Sequence, residues 1–468
     1  MSATLNQEQK VIHFLNRTSF GPTLADVQRT ARIGLEAYLD EQLAPERIPD
    51  GTVEEKIAGL KTMRLNSREL FDLYPPAKVA KERGAIPGAM NAPRFIIYEL
   101  QQARVLRAVY SQRQLYELMV DFWSNHFNIF AAKGADRWLT TSYDRDTIRP
   151  HALGKFRDLL LATARSPAML FYLDNWLSVS PNAGTRMPAN ARRRGLNENY
   201  GRELMELHTL GVDGGYSQED VREVARCFTG WTVVRPRGDA EYRFEPRLHD
   251  TGAKTVLGTH IPAGGGVEDG IKVIDLLARH PMTAKFIAAK LVRRFVVDEP
   301  SPSVVNQVAD TFRRTDGDIR AVLHGIIDSP AFYSSDVYQT KVKKPIEFVA
   351  SALRATQAET TITPQLLRYL ARMGEPLFLA QPPTGFPDNG SSWVSPDMLL
   401  TRMNFAADLV ANRLAGARID PSIFRDTSRL VGLVAPNGLA PITKTVLAEA
   451  GDKDALALLF ATPEFQRR

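Results

Sequence analysis

Cysteine is the scarcest residue type in this chain, because Cys227 is the only one among 468 residues. A single cysteine cannot form an internal disulfide or a multi-cysteine zinc site. We expect Cys227, next to Phe228, to be a small buried hydrophobe. The fold must therefore be held together by its core, and the cysteine content neither requires nor excludes an oxidising compartment.

Long apolar segments are also missing. No stretch approaches the roughly 18 consecutive apolar residues that a membrane-spanning helix needs. Residues 1–10 lack the charged segment followed by an apolar one that marks a secretory signal. We therefore predict no membrane span, and a cytoplasmic location for the chain as written. An exported location is expected instead if a leader has been removed from the true N-terminus.

The chain has no strong excess of charge of either sign. Its 59 lysines and arginines against 53 acidic residues give a net charge of +6. A nucleic-acid-binding protein normally concentrates basic residues on one face, whereas the only tight basic run here is Arg192–Arg194. We predict no nucleic-acid partner. The run itself is interpreted either as a solvated loop or as a lid that attracts an anionic substrate.

Helical periodicity dominates what is present. Apolar residues repeat at helical spacing through most of the chain, and only three short segments near 232–262 favour strands. The sequence thus predicts a mainly α protein, a large multi-helix bundle or array with a small β-hairpin or short-sheet insertion. We expect either a single large helical domain, 1–468, or two lobes, 1–231 and 267–468, separated by a β insertion at 232–266.

One predicted helix places a histidine on an apolar stripe. Leu115, Leu118, Met119 and Phe122 recur at i, i+3, i+4 and i+7, and His126 continues the row. His126 is therefore either a core histidine or a ligand or acid–base group. A second row, made of Asp121, Asn125 and Asn128, either faces water or lines a wet cavity.

The stretch 197–231 holds the densest set of chemically useful side chains. On a straight helix with 100° per residue, Asn199, Glu203 and Glu206 fall within about 60° of each other. His208 lies roughly 160° from Glu206 on that helix and cannot share a metal ion with it. The pair that can act together is Glu203 with Glu206, with Asn199 as a hydrogen-bonding neighbour.

Two carboxylates at this spacing have three possible uses, which the sequence leaves open. They can bind a divalent metal ion, divide the roles of general acid and general base, or pair with nearby arginines. A glycine turn at 213–215 and a capping pattern at Ser217 predict a second helix. This hairpin would let Arg222 and Arg226 face Glu203 and Glu206.

Other candidates come from further along the chain. His249 and Asp250 lie in the β-rich region and could complete a site with Glu203, Glu206 and His126. Arg17 lies in a compact turn and either serves the connection between helices or points into the site. Arg202, His208 and Arg222, together with Asn199 and Arg17, are the predicted substrate-binding residues.

The stretch from Asn197 to Tyr216, followed by Asp220 to Trp231, resembles the signature of a bacterial family catalogued as domain of unknown function 1800. The resemblance covers nearly the whole chain. It implies that relatives are often exported and are often encoded beside a sulfatase-like partner protein. It implies no catalytic residues. The further matching stretches are 13–22, 123–127, 149–156, 249–254, 280–291 and 461–465.

Two hypotheses of function follow. The first is a hydrolase or lyase that uses Glu203 and Glu206 on a sugar-type or polyanionic substrate, either a small molecule or a polysaccharide, with a divalent metal as a candidate cofactor. The second is a non-enzymatic helical scaffold that binds a partner protein. In the second case the same carboxylates and arginines would form a closed ionic lattice between helices.

Overall fold

The computed structural model describes residues 5–84, 88, 92–181, 195–435 and 438–468. These residues form mostly helices, as predicted. The α-helices are α1 (Gln7–Thr18), α2 (Leu24–Ile33), α3 (Leu35–Gln42), α4 (Gly51–Ala58), α5 (Ser67–Leu73), α6 (Ala77–Glu82), α7 (Arg94–Tyr110), α8 (Gln114–His126), α9 (Asp136–Ser142), α10 (Phe156–Arg165), α11 (Pro167–Tyr172), α12 (Asn199–Glu203), α13 (Gln218–Cys227), α14 (Val267–Arg279), α15 (Pro281–Phe295), α16 (Pro302–Arg314), α17 (Ile319–Ile327), α18 (Pro345–Ala355), α19 (Pro364–Arg372), α20 (Pro396–Val410), α21 (Thr427–Val434), α22 (Pro441–Glu449), α23 (Asp452–Ala461) and α24 (Pro463–Gln466).

The strands form antiparallel pairs. The strands are β1 (Trp231–Val234), β2 (Glu241–Phe244), β3 (Lys254–Val256), β4 (Thr259–Ile261), β5 (Glu359–Thr360) and β6 (Ala417–Arg418). β1 pairs with β2 and β3 with β4, both within the predicted β insertion. The pair β5–β6 was not predicted, because two-residue strands are too short to carry a periodic pattern.

Two large apolar cores hold the helices together, and α8 contributes to both. Leu115 and Trp123 of α8 pack in the first core, which also includes Trp231. Leu118 of the same helix packs in the second core, with Phe348 and the C-terminal helices. α8, which carries His126 at its C-terminal end, therefore packs against residues of both cores. The division into two lobes stays a prediction.

Local sequence signals explain how several helices begin. Thr23 and Ser217 each accept a hydrogen bond at 3.1 Å from the backbone N–H three residues later. The Asp26 and Asp220 side chains accept hydrogen bonds from the backbone N–H groups of Thr23 and Ser217, which completes two capping boxes. The start at Ser217 was predicted, and the one at Thr23 has the same local pattern, because the residues of a capping box are close in sequence.

The stretch 197–211 departs from the straight helix expected for it. α12 ends at Glu203 and continues as a π-helix, Leu204–Thr209. The Leu210 N–H donates to Met205 O, and the Thr209 hydroxyl donates to Leu204 O, both at 2.7 Å and both spanning five residues. A π-helix has a wider turn, so the angles calculated for His208 on a straight helix do not apply.

Candidate functional site

Two asparagines near the end of α8 hold the loop that follows α19. The Asn125 amide donates to Phe386 O at 2.9 Å and accepts from the Phe386 N–H at 2.7 Å. The Asn128 amide donates to Ala380 O and Pro382 O. We call residues 380–393 the clamped loop. Residue 385 is glycine for a clear reason: its φ is +71°, and a Cβ there would lie 2.5 Å from Asn125.

The clamped loop separates two cavities. The large cavity, of about 290 Å³, is lined by loop residues 384–388 and by His126, Leu207, Phe286 and Lys290. The small cavity, of about 40 Å³, is lined by Phe386 and by polar residues that include Arg104, Asp121, Asn125, Asn128, Asp144, Lys344 and Glu375. The predicted polar row, Asp121, Asn125 and Asn128, therefore lines a cavity.

Each cavity has a π-helix in its wall. Leu207 of the π-helix Leu204–Thr209 lines the large cavity, and Tyr143 and Asp144 of a second π-helix, Tyr143–Ile148, line the small one. π-Helical turns are rare and occur often at functional sites. Their position here marks the two cavities as the candidate site.

His126 is a neutral imidazole with one free nitrogen. It is 4% exposed, and its Nε2 lies 3.1 Å from His208 O. A carbonyl can only accept, so Nε2 carries the proton and donates. Nδ1 has no hydrogen-bond partner in the described part of the chain. Burial, followed by the charge of Lys290, holds the pKa of His126 well below its usual value.

An ion pair lies beside His126 in the same cavity. Lys290 Nζ lies 2.7 Å from an Asp388 carboxylate oxygen. Burial opposes ionisation of Asp388, but the neighbouring cations Lys290 and Lys344 outweigh burial and lower its pKa to about 2. The large cavity thus combines a neutral base with an ion pair.

Glu203 and Glu206 are not paired with arginine among the described residues. Burial, followed by the charge of Glu206, raises the pKa of Glu203. The Tyr216 hydroxyl donates to Glu206 at 3.3 Å. The arginines expected opposite them bind elsewhere. Arg202 donates to Gln218 at 2.8 Å, Arg222 pairs with Glu219 at 3.1 Å, and Arg226 pairs with Glu223 and Asp250.

Glu203 does not line the large cavity. Leu207, four residues later, does line the cavity. Burial, then the charges of Asp136 and Glu203, raise the pKa of Tyr172, whose hydroxyl donates to Gln381 O of the clamped loop at 2.7 Å. Glu203 is therefore close to the start of this loop.

Asn199 and His208 have mainly structural contacts. The Asn199 amide donates to Leu173 O at 3.3 Å. His208 is buried, and burial lowers its pKa to about 3. Its carbonyl oxygen accepts the hydrogen bond from His126, and the two rings lie 6.2 Å apart. His208 thus reaches the site through its backbone.

His249 and Asp250 belong to a separate cluster at the base of the β hairpins. His249 lies 2.8 Å from Thr229 O and 3.2 Å from Asp269. Asp250 pairs with Arg226 at 3.0 Å, and Lys254 binds Asp269 at 2.7 Å. The structure brings these residues together with each other, and no contact among the described residues joins them to Glu203 or His126.

Arg17 is completely buried, and its side chain binds backbone carbonyl groups. Its guanidinium donates to Val296 O at 2.9 Å and to Val337 O at 2.6 Å. Burial, then the charge of Arg294, lowers its pKa to about 9. This placement indicates a structural role that joins α1 to the segments after α15 and α17. The run Arg192–Arg194 lies outside the described residues.

Four site residues were missed by the sequence reasoning: Lys290, Lys344, Glu375 and Asp388. The clearest sequence signal was that of Asp388, which lies among glycines and prolines in the turn-rich segment 380–397. Trp393 of the same segment is 2% exposed. Lys290 carried no such signal, because a lysine on a helix is usually at the surface.

Two further findings concern ligands and membranes. Over the described ranges, no group of three or more His, Cys, Asp or Glu side chains is arranged to hold a metal ion. Nor does any helix in those ranges have the length and apolar character needed to cross a membrane.

Comparison with known proteins identifies the family. The model of the family described as "Protein of unknown function (DUF1800)" matches residues 13–467. Neither the curated proteins nor the solved structures contain a match. Because the match covers nearly the whole chain, the protein belongs to the family of unknown function DUF1800.

Proposed function

We propose that this protein is an acid–base enzyme, a hydrolase or lyase, and that the large cavity is its active site. The observation that carries the proposal is His126, a buried neutral imidazole whose Nδ1 has no partner among the described residues. A perturbed titratable group in a cavity beside a fixed charge is a recurring mark of catalytic sites.

His126 acts as the general base. In hydrolysis, Nδ1 takes a proton from a water molecule as the water oxygen attacks the substrate. In a lyase reaction, the same nitrogen takes the proton from a carbon atom next to an electron-withdrawing group. Lys290, in the wall of the same cavity, stabilises the negative charge that develops on the substrate.

Glu203 is the second proton-transfer group, so the proposed reaction needs a carboxyl group as well as the histidine. In its protonated form, Glu203 gives its proton to the leaving group and becomes a carboxylate. Burial and then the charge of Glu206 raise the pKa of Glu203, which is the direction that a general acid needs. The proton removed by His126 then returns to Glu203 through solvent after product release.

The substrate class that fits best is a sugar-type or polyanionic molecule. A cavity of about 290 Å³ is at the lower end of the roughly 300–1,000 Å³ of small-molecule sites. It can hold one ring or the end of a polysaccharide chain. Phe286 offers an apolar face for such a ring, and Lys290 offers a cation for an acidic substituent.

The scaffold hypothesis is the weaker alternative. It requires Glu203 and Glu206 to be closed off by arginines, and no arginine of the described chain forms an ion pair with either carboxylate. A sulfatase-like partner protein and an exported setting, both implied by the family, stay predictions. So does a divalent metal cofactor.

A substrate panel tests the proposal. The purified protein is incubated with para-nitrophenyl glycosides, phosphates, sulfates and carboxylic esters, and with polyuronates, which lyases convert to products that absorb ultraviolet light. We expect turnover of at least one class, lost in His126→Gln and Glu203→Gln and kept in the control His324→Gln, a histidine that is 40% exposed on α17. Inactivity of the wild-type protein on every class, or full activity of a folded His126→Gln variant, would contradict the proposal.

A further inference from the structure

A third space adjoins the two cavities and is unusually basic. This basic crevice, of about 10 Å³, is lined by Asp388, Asn389, Gly390 and Trp393 and by five cationic side chains, Lys290, Arg294, Lys341, Lys344 and Arg468. It shares Lys290 and Asp388 with the large cavity and Lys344 with the small one. The basic crevice is therefore adjacent to both the large and the small cavity.

Four of the five cations have a carboxylate partner. Lys290 pairs with Asp388, and Lys341 pairs with Asp298. Arg294 and Arg468 share one oxygen of Glu347, at 2.6 and 3.1 Å. Among the described side chains, these three carboxylates form ion pairs with the cations of the crevice. The five cations therefore outnumber the carboxylates that pair with them.

Lys344 is the crevice cation that has no direct hydrogen-bond or ion-pair partner among the described residues. It is 8% exposed, and its ammonium group makes no hydrogen bond or ion pair with any residue in the described part of the chain. Its charge lowers the pKa of both Asp388 and Glu375, so it lies near both. A cation that is so little exposed and has no direct partner is available to an anionic ligand that enters the crevice.

Glu375 does not neutralise Lys344. Burial, then the charge of Asp121, raises the pKa of Glu375 to about 8. Glu375 is thus mostly protonated at neutral pH, and its Oε2 accepts a hydrogen bond from the Ile346 N–H at 2.8 Å. Glu375 therefore adds little negative charge beside Lys344.

Arg294 adds unused hydrogen-bond donors to the same crevice. It is 6% exposed, and its guanidinium nitrogens have no well-aligned hydrogen bond among the described residues, although Nη2 is in ion-pair contact with Glu347. A planar guanidinium and an ammonium that face one space match the several oxygens of a carboxylate, phosphate or sulfate group.

We propose that the basic crevice is an oxyanion-binding site in which Lys344 and Arg294 hold a carboxylate, phosphate or sulfate group. The crevice has room for about one water molecule as it stands. The anion therefore enters from the large cavity by replacing Asp388 as the partner of Lys290. The group can belong to a free inorganic anion or to an organic ligand that extends from the large cavity. The inference stands independently of the proposed catalytic role of His126.

Thermal unfolding in the presence of three probe anions tests the site. Melting temperatures are measured in increasing sodium phosphate, sulfate or acetate, with chloride added to keep the ionic strength constant. We expect a saturable rise in the wild-type protein with at least one anion. The comparison of acetate with phosphate and sulfate decides between a carboxylate and a tetrahedral oxyanion.

Four variants make the test specific. Lys344→Met should lose the rise, whereas Lys344→Arg, which keeps the charge, should retain it. Asp388→Asn removes the competing carboxylate and should reach half-saturation at a several-fold lower anion concentration. The control Lys285→Met removes an exposed lysine of the same helix as Lys290 and should respond like the wild-type protein. The proposal is overturned if no anion stabilises the wild-type protein, or if Lys344→Met responds as the wild-type protein does.

Discussion

At the scale of single residues, burial decides which charges the site carries at neutral pH. His126 stays neutral, Glu375 stays protonated, and Asp388 stays ionised only because Lys290 and Lys344 outweigh its burial. One neighbourhood therefore holds a free base, a neutral carboxylic acid and a carboxylate. Pairs of titratable groups with pKa values pushed apart in this way are what acid–base chemistry requires.

The variant Glu375→Gln should become more stable than the wild-type protein as the pH rises from about 5 to 8. The pKa of Glu375 is about 8 in the folded protein against 4.5 for an ordinary glutamate. The stabilisation that this raised pKa gives the folded protein is therefore complete below about pH 4.5. It is lost as the pH rises toward about 8. The loss is about 1.4 kcal/mol per pH unit. Glutamine keeps an acceptor for the Ile346 N–H. The free energy of unfolding, measured with urea at several pH values, checks this, and a difference that does not change with pH would refute it.

Replacing Lys344 by methionine should stabilise the protein when no oxyanion is present. The change removes a largely buried side-chain charge that makes no hydrogen bond or ion pair among the described residues, and it keeps most of the apolar stem. We expect a gain of roughly 1–3 kcal/mol in the free energy of unfolding, the usual cost of an unsatisfied buried polar group. Urea unfolding in chloride buffer measures it, and the surface control Lys285→Met should change stability by less than about 0.5 kcal/mol. A loss of stability in Lys344→Met would show that the charge is compensated.

At the scale of elements, the site depends on how α8 holds the clamped loop. Asn125 binds the backbone of Phe386 on both its N–H and its C=O, as a neighbouring strand would. The loop passes so close to α8 that only a glycine fits at residue 385. Because Phe386 lines both cavities, this contact sets their shape.

The Gly385→Ala variant should be less stable than Gly215→Ala. Both glycines have positive φ, +71° and +79°, so alanine costs about 1–2 kcal/mol at either position. Only at residue 385 would the new Cβ also collide with Asn125, since residue 215 has open space around it. This collision should add roughly 1–3 kcal/mol. Equal losses in the two variants, measured by urea unfolding, would show that the loop moves freely away from α8.

At the scale of the whole molecule, the sequence predicts what local patterns determine. The mainly helical fold, the β hairpins after Trp231 and the capping boxes at Thr23 and Ser217 all follow from residues that are close in sequence. The row Asp121, Asn125 and Asn128 was recognised as the possible wall of a wet cavity for the same reason, because helical spacing places the three on one face.

The partners of those residues could not be predicted, because they come from distant parts of the chain. Asn125 binds a loop 261 residues away, and His126 donates to a carbonyl 82 residues away. The π-helix that carries Leu207 toward the large cavity depends on hydrogen bonds five residues apart. Propensities describe the ordinary α-helix and do not predict this geometry. Arg222 and Arg226 were near Glu203 in sequence, yet closer carboxylates on α13 bind them.

The proposed active site requires a neutral His126 ring, and nitrogen NMR measures the protonation state of that ring directly. In protein labelled with ¹⁵N at histidine, the resonances of His126 are assigned by their loss in His126→Gln. We expect a neutral ring from about pH 8 down to 5, with the proton on Nε2 and a bare Nδ1, since the pKa of His126 lies well below the ordinary value of 6.5. A ring that becomes protonated near pH 6.5, or one that carries its proton on Nδ1, would rule out His126 as the general base described above.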